Sequence, residues 1–169
     1  MDPRPQEGIP LTEPPPIALR VDVSSQRMFL LLGGVIDREF GISTSRFGLG
    51  SEAGSFKTPL GRFAITEKFG DDAPPGAIFR SRQPTGEIAW PGGDEDLVLT
   101  RILWLSGLDP ENANTHDRYI YIHGTNQEHL IGQPASHGCI RMRNAEIIVL
   151  YDLVPSGTPV EILEIGVME

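Results

Sequence analysis

The stretch RYIYIHGTNQEHLIGQPASHGCIRMR, residues 118–143, decides how the rest of the chain is read. It holds His123, His129 and His137, three of the four histidines, together with Cys139, the only cysteine. Tyr119 to Ile122 is rich in β-branched and aromatic residues and reads as a strand that delivers His123-Gly124. A loop follows, then Ser136-His137-Gly138-Cys139 and Ile140-Arg141-Met142. A free thiol is only a few per cent ionised at neutral pH, so a nucleophilic cysteine needs help. An imidazole can take its proton and hold the resulting ion pair. His137 lies two residues before Cys139, and the loop after His123 is long enough to fold back. Gly138 permits a tight turn and close approach of a substrate carbonyl. Amides around Gly138 and Cys139 then face a developing oxyanion. Arg141 would place a fixed cation nearby, suited to a substrate carboxylate.

Blander readings stand beside these. A lone cysteine often serves as a small buried hydrophobe. The three histidines and Cys139 are also zinc-type ligands, although the spacing H-x5-H-x7-H-x-C follows no common structural-zinc pattern. Arg141 could pair with a surface carboxylate. His116 and His129 lie in polar loop sequence and are expected at the surface; Trp90 and Trp104 are expected in the core.

Outward from this segment, the chain reads as short strands and turns. Residues 1–16 contain six prolines and form an expected extended arm, leaving 17–169 as a single domain. Ile17, Leu19, Val21 and Val23 alternate with Ala18, Arg20 and Asp22, a strand signal. Met28–Leu32, the Gly33-Gly34 pair and Val35–Ser43 complete a β-meander. Pro59 and Gly61 turn the chain into a strand over Phe63–Thr66. Residues 67–96 read as loop, a candidate lid or cleft wall. Leu97–Leu105 is a further apolar run. Asn144 is placed to cap a helix carrying Ile147, Ile148, Tyr151 and Val154, with Glu146 in its first turn. Pro155 and Gly157 end it, and Val160–Ile165 reads as a closing strand.

Composition narrows the class. Among 169 residues are 19 glycines and 15 prolines, about a fifth of the chain, with 39% hydrophobic residues. That is enough apolar content for one core and points to a turn-rich β protein rather than a helix bundle. The net charge of −9, without Lys/Arg clusters, argues against nucleic acid or an anionic membrane as partner. No apolar run is long enough for a membrane helix, and residues 1–16 carry no signal-peptide h-region. One cysteine allows no internal disulfide.

HGT (123–125), IG (131–132) and SHGCIRM (136–142) together resemble the active-site signature of the L,D-transpeptidase catalytic domain, the YkuD-type family. VDVSSQRMFLL (21–31) is similar to that domain's opening hairpin, TPLGRF (58–63) to its turn and strand, and DLVPSGTPVEI (152–162) to its closing helix, turn and strand. The resemblance implies a mainly β, sandwich-like catalytic domain with a few short helices. It implies Cys139 as nucleophile, His123 as general acid/base and Gly124 as the residue whose carbonyl orients His123. It implies His137, Gly138 and the Cys139 amide at the oxyanion site, with Ser136 and Arg141 toward the substrate. The implied reaction acylates Cys139 with the third residue of a peptidoglycan stem tetrapeptide, releases D-alanine and transfers the acyl group to an amine acceptor. Water as acceptor would make the same site an L,D-carboxypeptidase. The family implies no metal or cofactor, a setting in the periplasm or cell envelope, and acylation by carbapenems.

Overall fold

The structure, a computed structural model, describes residues 15–165. The arm expected over 1–16 falls almost wholly outside them. Ten strands run in chain order: β1 (Ile17–Asp22), β2 (Arg27–Leu32), β3 (Val35–Gly41), β4 (Gly61–Phe69), β5 (Ala77–Arg80), β6 (Gln83–Ile88), β7 (Val98–Gly107), β8 (Tyr121–Gly124), β9 (Ile140–Met142) and β10 (Pro159–Leu163). One α-helix, α1 (Asn144–Leu153), separates β9 from β10, and short 3-10 turns fill parts of the loops. No helix among the described residues is long and apolar enough to cross a membrane.

Alternation explains the strands. Leu19 and Val21 of β1, Met28 and Leu30 of β2, and Phe63 and Ile65 of β4 point inward, with less buried residues between them. Gly33 and Gly34 both adopt positive φ, 58° and 83°, as the tight β2–β3 connection requires. Hydrogen bonding orders the strands β3-β2-β1-β10-β4-β7-β5-β6, with β8 also on β7 and β9 on β8. The sheet doubles over. Leu19, Met28 and Phe63 share one core with Ile122 of β8, Ile140 of β9 and Leu150 of α1. That gives the sandwich-like, mainly β architecture the sequence implied.

Three expectations are corrected. Residues 67–96 are not mostly loop: β4 continues to Phe69, and β5 and β6 form a hairpin. The β6 residues are all exposed and include Pro84 and Gly86, so no alternation marks the strand. Its turn uses Ser81 and Arg82 at positive φ (50° and 65°) rather than the usual Asn-Gly. Trp90 is 87% exposed, whereas Trp104 is buried. Asn144 does not cap α1 with its side chain but is its first residue; the Glu128 carboxylate accepts the Asn144 N–H at 2.8 Å and supplies the cap from another loop.

Phe63 is fully buried at the centre of the main core. Phe63→Ala should lower the unfolding free energy by about 3–5 kcal/mol, read as a reduced urea midpoint with little change in slope.

Candidate active site

β8 and β9 are parallel neighbours with Ile122 opposite Ile140 and His123 opposite Arg141. Paired positions on adjacent strands point to the same face, and so do residues two apart. Cys139, one residue before β9, therefore lies on the face that carries His123. The crossover between them is the 125–139 loop, closed by the Gly138 turn at φ 123°.

That turn is clamped from three directions. Ser136 Oγ donates to the Cys139 carbonyl at 2.7 Å and accepts the Gly138 N–H at 3.2 Å. The buried Thr58 hydroxyl donates to the Gly138 carbonyl at 2.9 Å and accepts the Ser45 N–H at 3.0 Å. The sulfur accepts the Tyr121 N–H at 3.3 Å and donates to the Tyr119 carbonyl at 3.4 Å. Because Ser136 occupies the Gly138 amide, the Cys139 N–H is a donor of this turn with no protein acceptor among the described residues. Thr58 sits in the TPLG segment; its hydroxyl gives that turn a role the sequence did not reveal.

His123 is buried, and its Nδ1–H donates to the Gly124 carbonyl at 2.6 Å. A carbonyl can only accept, so this contact places the neutral ring's proton on Nδ1 and leaves Nε2 bare. Gly124 must be glycine: a Cβ there would lie 2.3 Å from Asn144 Oδ1 and 2.9 Å from the Leu99 carbonyl. Asn144 is itself held by Thr100, which donates to Asn144 Oδ1 at 2.5 Å and accepts the Gly76 N–H at 2.9 Å. Thr100 has φ 77°, a costly conformation for a β-branched residue, at a bulge in β7. The strain lies in the network that fixes Gly124 and through it His123.

Asp96 was not singled out from the sequence. Its carboxylate accepts His137 Nδ1 at 2.9 Å and Arg141 Nη1 at 3.1 Å. Burial pushes its pKa up, but the field of His123, the His137 hydrogen bond and the Arg141 guanidinium together hold it below the usual carboxylate range. Its loop is pinned by Asn126, which donates to the Gly92 and Glu95 carbonyls, and by Gln127, which donates to that of Gly93. The acidic run PGGDED reads as a solvated loop, and only its folded position shows this function.

Arg141 departs from expectation. It is fully buried, because β9 is covered on both faces: Ile140 and Met142 enter the main core, and Arg141 points to the opposite, His123 face. Its Nη1 donates to Asp96 and to Gln127 Oε1 at 2.6 Å, and Nη2 reaches Ser43 Oγ at 3.4 Å. It is neither a cleft cation free for a substrate carboxylate nor half of a surface pair. Ser136, equally buried, shapes the turn rather than facing substrate. The His137 imidazole is exposed, bonded to Asp96 and packed against Phe47 and Phe56 at centroid distances of 5.6 and 5.8 Å. His129 is exposed as expected; His116 is half-buried, stacked on Trp104 at 3.8 Å and bonded to Glu67 at 2.9 Å. The candidate zinc set does not converge: among the described residues no three His, Cys, Asp or Glu side chains gather as metal ligands.

Burial pushes the Cys139 thiol up to about 12, against the opposing Tyr121 N–H. Burial likewise pushes His123 down, against the Asp96 charge and the Gly124 carbonyl. Burial favours the neutral form of each group, so it opposes the ion pair expected from the sequence rather than stabilising it. Thiol, bare imidazole nitrogen, a free amide and a half-buried carboxylate acting on the imidazole are the parts of nucleophilic acyl transfer.

A mainly β, sandwich-like fold with a Cys–His site of this form defines a class, and comparison places the chain in it. The sequence profile of the YkuD-type L,D-transpeptidase catalytic domain matches residues 16–162, so the chain belongs to that family. It is 34% identical over 107 residues to the putative L,D-transpeptidase YqjB of Bacillus subtilis, covering 63% of this chain and 52% of that protein. It is 28% identical over 155 residues to the putative L,D-transpeptidase YkuD of the same organism, covering 92% and 71%. The chain thus spans about half the length of YqjB and more of YkuD. L,D-transpeptidase 3 of Mycobacterium tuberculosis, solved with a faropenem-derived adduct, shares the fold with TM-score 0.60 at 18% identity, over 89% of this chain and 61% of that one. An L,D-transpeptidase from Xylanimonas cellulosilytica gives 0.59 at 20% identity, over 95% and 70%.

Two predictions follow from this geometry. The unfolded chain protonates histidine near pH ~6.5, while folded His123 resists protonation, so its share of stability is lost as pH falls through that range. The unfolded thiol ionises near pH ~8.5, while folded Cys139 holds its proton, so its share is lost as pH rises above that value. Relative to wild type, His123→Gln should flatten the acid limb of a stability–pH curve and Cys139→Ala the alkaline limb, measured by urea unfolding. Separately, Thr58→Val leaves the Gly138 carbonyl without its donor. It should cost about 1–3 kcal/mol and slow alkylation of Cys139, measured by unfolding and by mass spectrometry.

Proposed function

We propose that this chain is a cysteine acyltransferase acting on peptidoglycan stem peptides in the cell envelope, with residues 17–169 as a single catalytic domain. The observation that carries the reading is the 2.6 Å bond from His123 Nδ1 to the Gly124 carbonyl, which leaves Nε2 as a base on the face that bears Cys139. As sulfur attacks the carbonyl of the third stem residue, its proton passes to His123 Nε2. The Cys139 N–H meets the oxyanion. Asp96 favours the imidazolium formed in this step and opposes a thiolate without it. Collapse releases the terminal D-alanine, whose amine takes the His123 proton, and leaves a thioester on Cys139. An acceptor amine attacks the thioester, passes a proton to His123 and frees the sulfur, giving a 3-3 cross-link. Ser136, His137 and Arg141 serve this chemistry by holding the turn and Asp96. The residues needed for these steps belong to the chain itself, and none calls for a metal or cofactor.

A β-lactam offers an activated carbonyl to the same sulfur. The L,D-transpeptidase LdtMt1, which shares this fold, is known in complex with imipenem, and we extend carbapenem acylation to Cys139.

Intact-protein mass spectrometry after incubation with imipenem should show one covalent adduct, absent from Cys139→Ala. With a tetrapeptide muropeptide, cross-linked dimers are the expected product. Tripeptide alone would show that water is the acceptor and that the chain is an L,D-carboxypeptidase. No adduct with either reagent would overturn the acyltransferase reading.

A further inference from the structure

With Arg141 closed inside the protein by Asp96, the negative end of a donor peptide needs another partner. The donor's C-terminal carboxylate lies one residue beyond the carbonyl that sulfur attacks, so its cation must stand beside Cys139. Arg118 stands there. It ends a 3-10 turn, His116–Arg118, and the next residue, Tyr119, takes a left-handed conformation at φ 59°. The Tyr119 carbonyl accepts from the Cys139 sulfur, so consecutive residues supply the guanidinium and a contact to the nucleophile. Arg118 Nη2 donates to the Lys57 carbonyl at 2.7 Å, and Nη1 reaches the Gly50 carbonyl at 3.4 Å. The same Lys57 carbonyl lies 3.3 Å from where a Cβ on Gly138 would stand. Guanidinium, Lys57 carbonyl and the Gly138-Cys139 turn are therefore neighbours in space.

Arg118 also lines a pocket of about 230 Å³ with Phe56, Ile120 and His137, the last being the residue before Gly138. A residue as small as alanine fits such a space. Among the described residues no carboxylate lies within ion-pair distance of Arg118, although Asp117 shares the pocket and Glu52 acts on it from farther away. A half-buried guanidinium held only by carbonyls has further N–H donors, and burial pushes its pKa down against the opposing fields of Cys139 and Glu52. A carboxylate would relieve that cost. Two further arginines near the site are already engaged: Arg82 lies over the Trp104 ring at 4.7 Å and donates to Tyr121 Oη at 3.1 Å, and Arg46 lies over the Phe47 ring at 4.9 Å.

We propose that Arg118 and its pocket form the subsite that receives the C-terminal carboxylate of the acyl donor beside Cys139. Arg118 thereby holds the departing D-amino acid and selects donors with a free carboxyl end. The proposal rests on the reading of Cys139 as the acylated nucleophile. Its test separates the two.

Iodoacetate and iodoacetamide both lose iodide to the Cys139 sulfur as the S–C bond forms; they differ in charge. Alkylation of the intact protein at pH 9 is followed by mass spectrometry for wild type, Arg118→Gln, Arg118→Lys and Arg82→Gln. Relative to free cysteine, wild type should favour iodoacetate roughly tenfold, about what one charge-assisted hydrogen bond supplies. Arg118→Gln should lose the bias, Arg118→Lys should keep part of it, and Arg82→Gln should leave it intact. In a second arm, wild type should be acylated faster by a free-acid tetrapeptide than by its C-terminal amide, and Arg118→Gln should treat the two alike. An equal loss with both reagents and both peptides would mean that Arg118 only fastens the 50–57 loop, and would overturn the proposal. So would a wild type without charge bias. If Arg118→Gln fails to fold, the Lys variant carries the same comparison. Failure of both peptides with the alkylation bias intact would overturn the stem-peptide reading alone and support the anion subsite.

Discussion

Parallel pairing of β8 with β9 is the constraint on which the site depends. Parallel neighbours cannot be joined by a tight turn and need a crossover of a dozen or more residues. Here the crossover, residues 125–139, is not a helix. It is a loop that must satisfy its own backbone, and it does so through Thr44, Ser45, Thr58 and Ser136, all buried. The Ala135 and Ser136 amides donate to the Thr44 carbonyl, Arg46 N–H donates to that of Ser136, and Arg141 exchanges both backbone bonds with Ser43. The 43–46 and 56–58 segments thus act as a partner strand for a region that has no sheet of its own. Cys139 is held by this scaffold and also packs against the smaller core cluster that includes Phe79, Ile102 and Tyr121.

Electrostatics then decides how the held groups behave. Burial favours the neutral form of both the thiol and the imidazole. Asp96 adds a bias with opposite effects on the two. It favours imidazolium at His123 and disfavours thiolate at Cys139. In the proposed reaction, a proton moving from sulfur to nitrogen would be stabilised only while the negative charge leaves the sulfur for the substrate oxygen. The arrangement favours proton transfer coupled to attack over a standing thiolate, which would be open to oxidation.

The sequence made much of this legible and hid specific parts. The β1–β3 meander could be read because apolar alternation and a Gly-Gly turn agree with each other. His123 and Cys139 could be picked out because a histidine and the lone cysteine each stand beside a glycine, whereas Gly124's part was implied only by the family resemblance. The β5–β6 hairpin was not legible: a wholly exposed strand leaves no hydrophobic period, and Ser-Arg is an unusual pair for positive φ. Asp96 was hidden because an acidic loop residue looks solvated until Asn126 and Gln127 pin its loop. Arg141 was misplaced because a charged residue in a three-residue strand is expected outside. Its burial is tolerable only with Asp96 as partner, and that pairing joins positions 45 residues apart. Thr58 and Arg118 act through backbone carbonyls, contacts that no side-chain pattern encodes.

Burial favours a neutral resting pair at Cys139 and His123, with the imidazole proton on Nδ1 facing the Gly124 carbonyl. Nitrogen NMR of histidine-labelled protein at pH 7 tests it most directly, with His123→Gln used to assign the resonance. The structure predicts a neutral ring with Nδ1 protonated and Nε2 bare, unchanged on Cys139→Ala. An imidazolium signal at His123 that disappears in Cys139→Ala would show a standing thiolate–imidazolium pair and contradict the account.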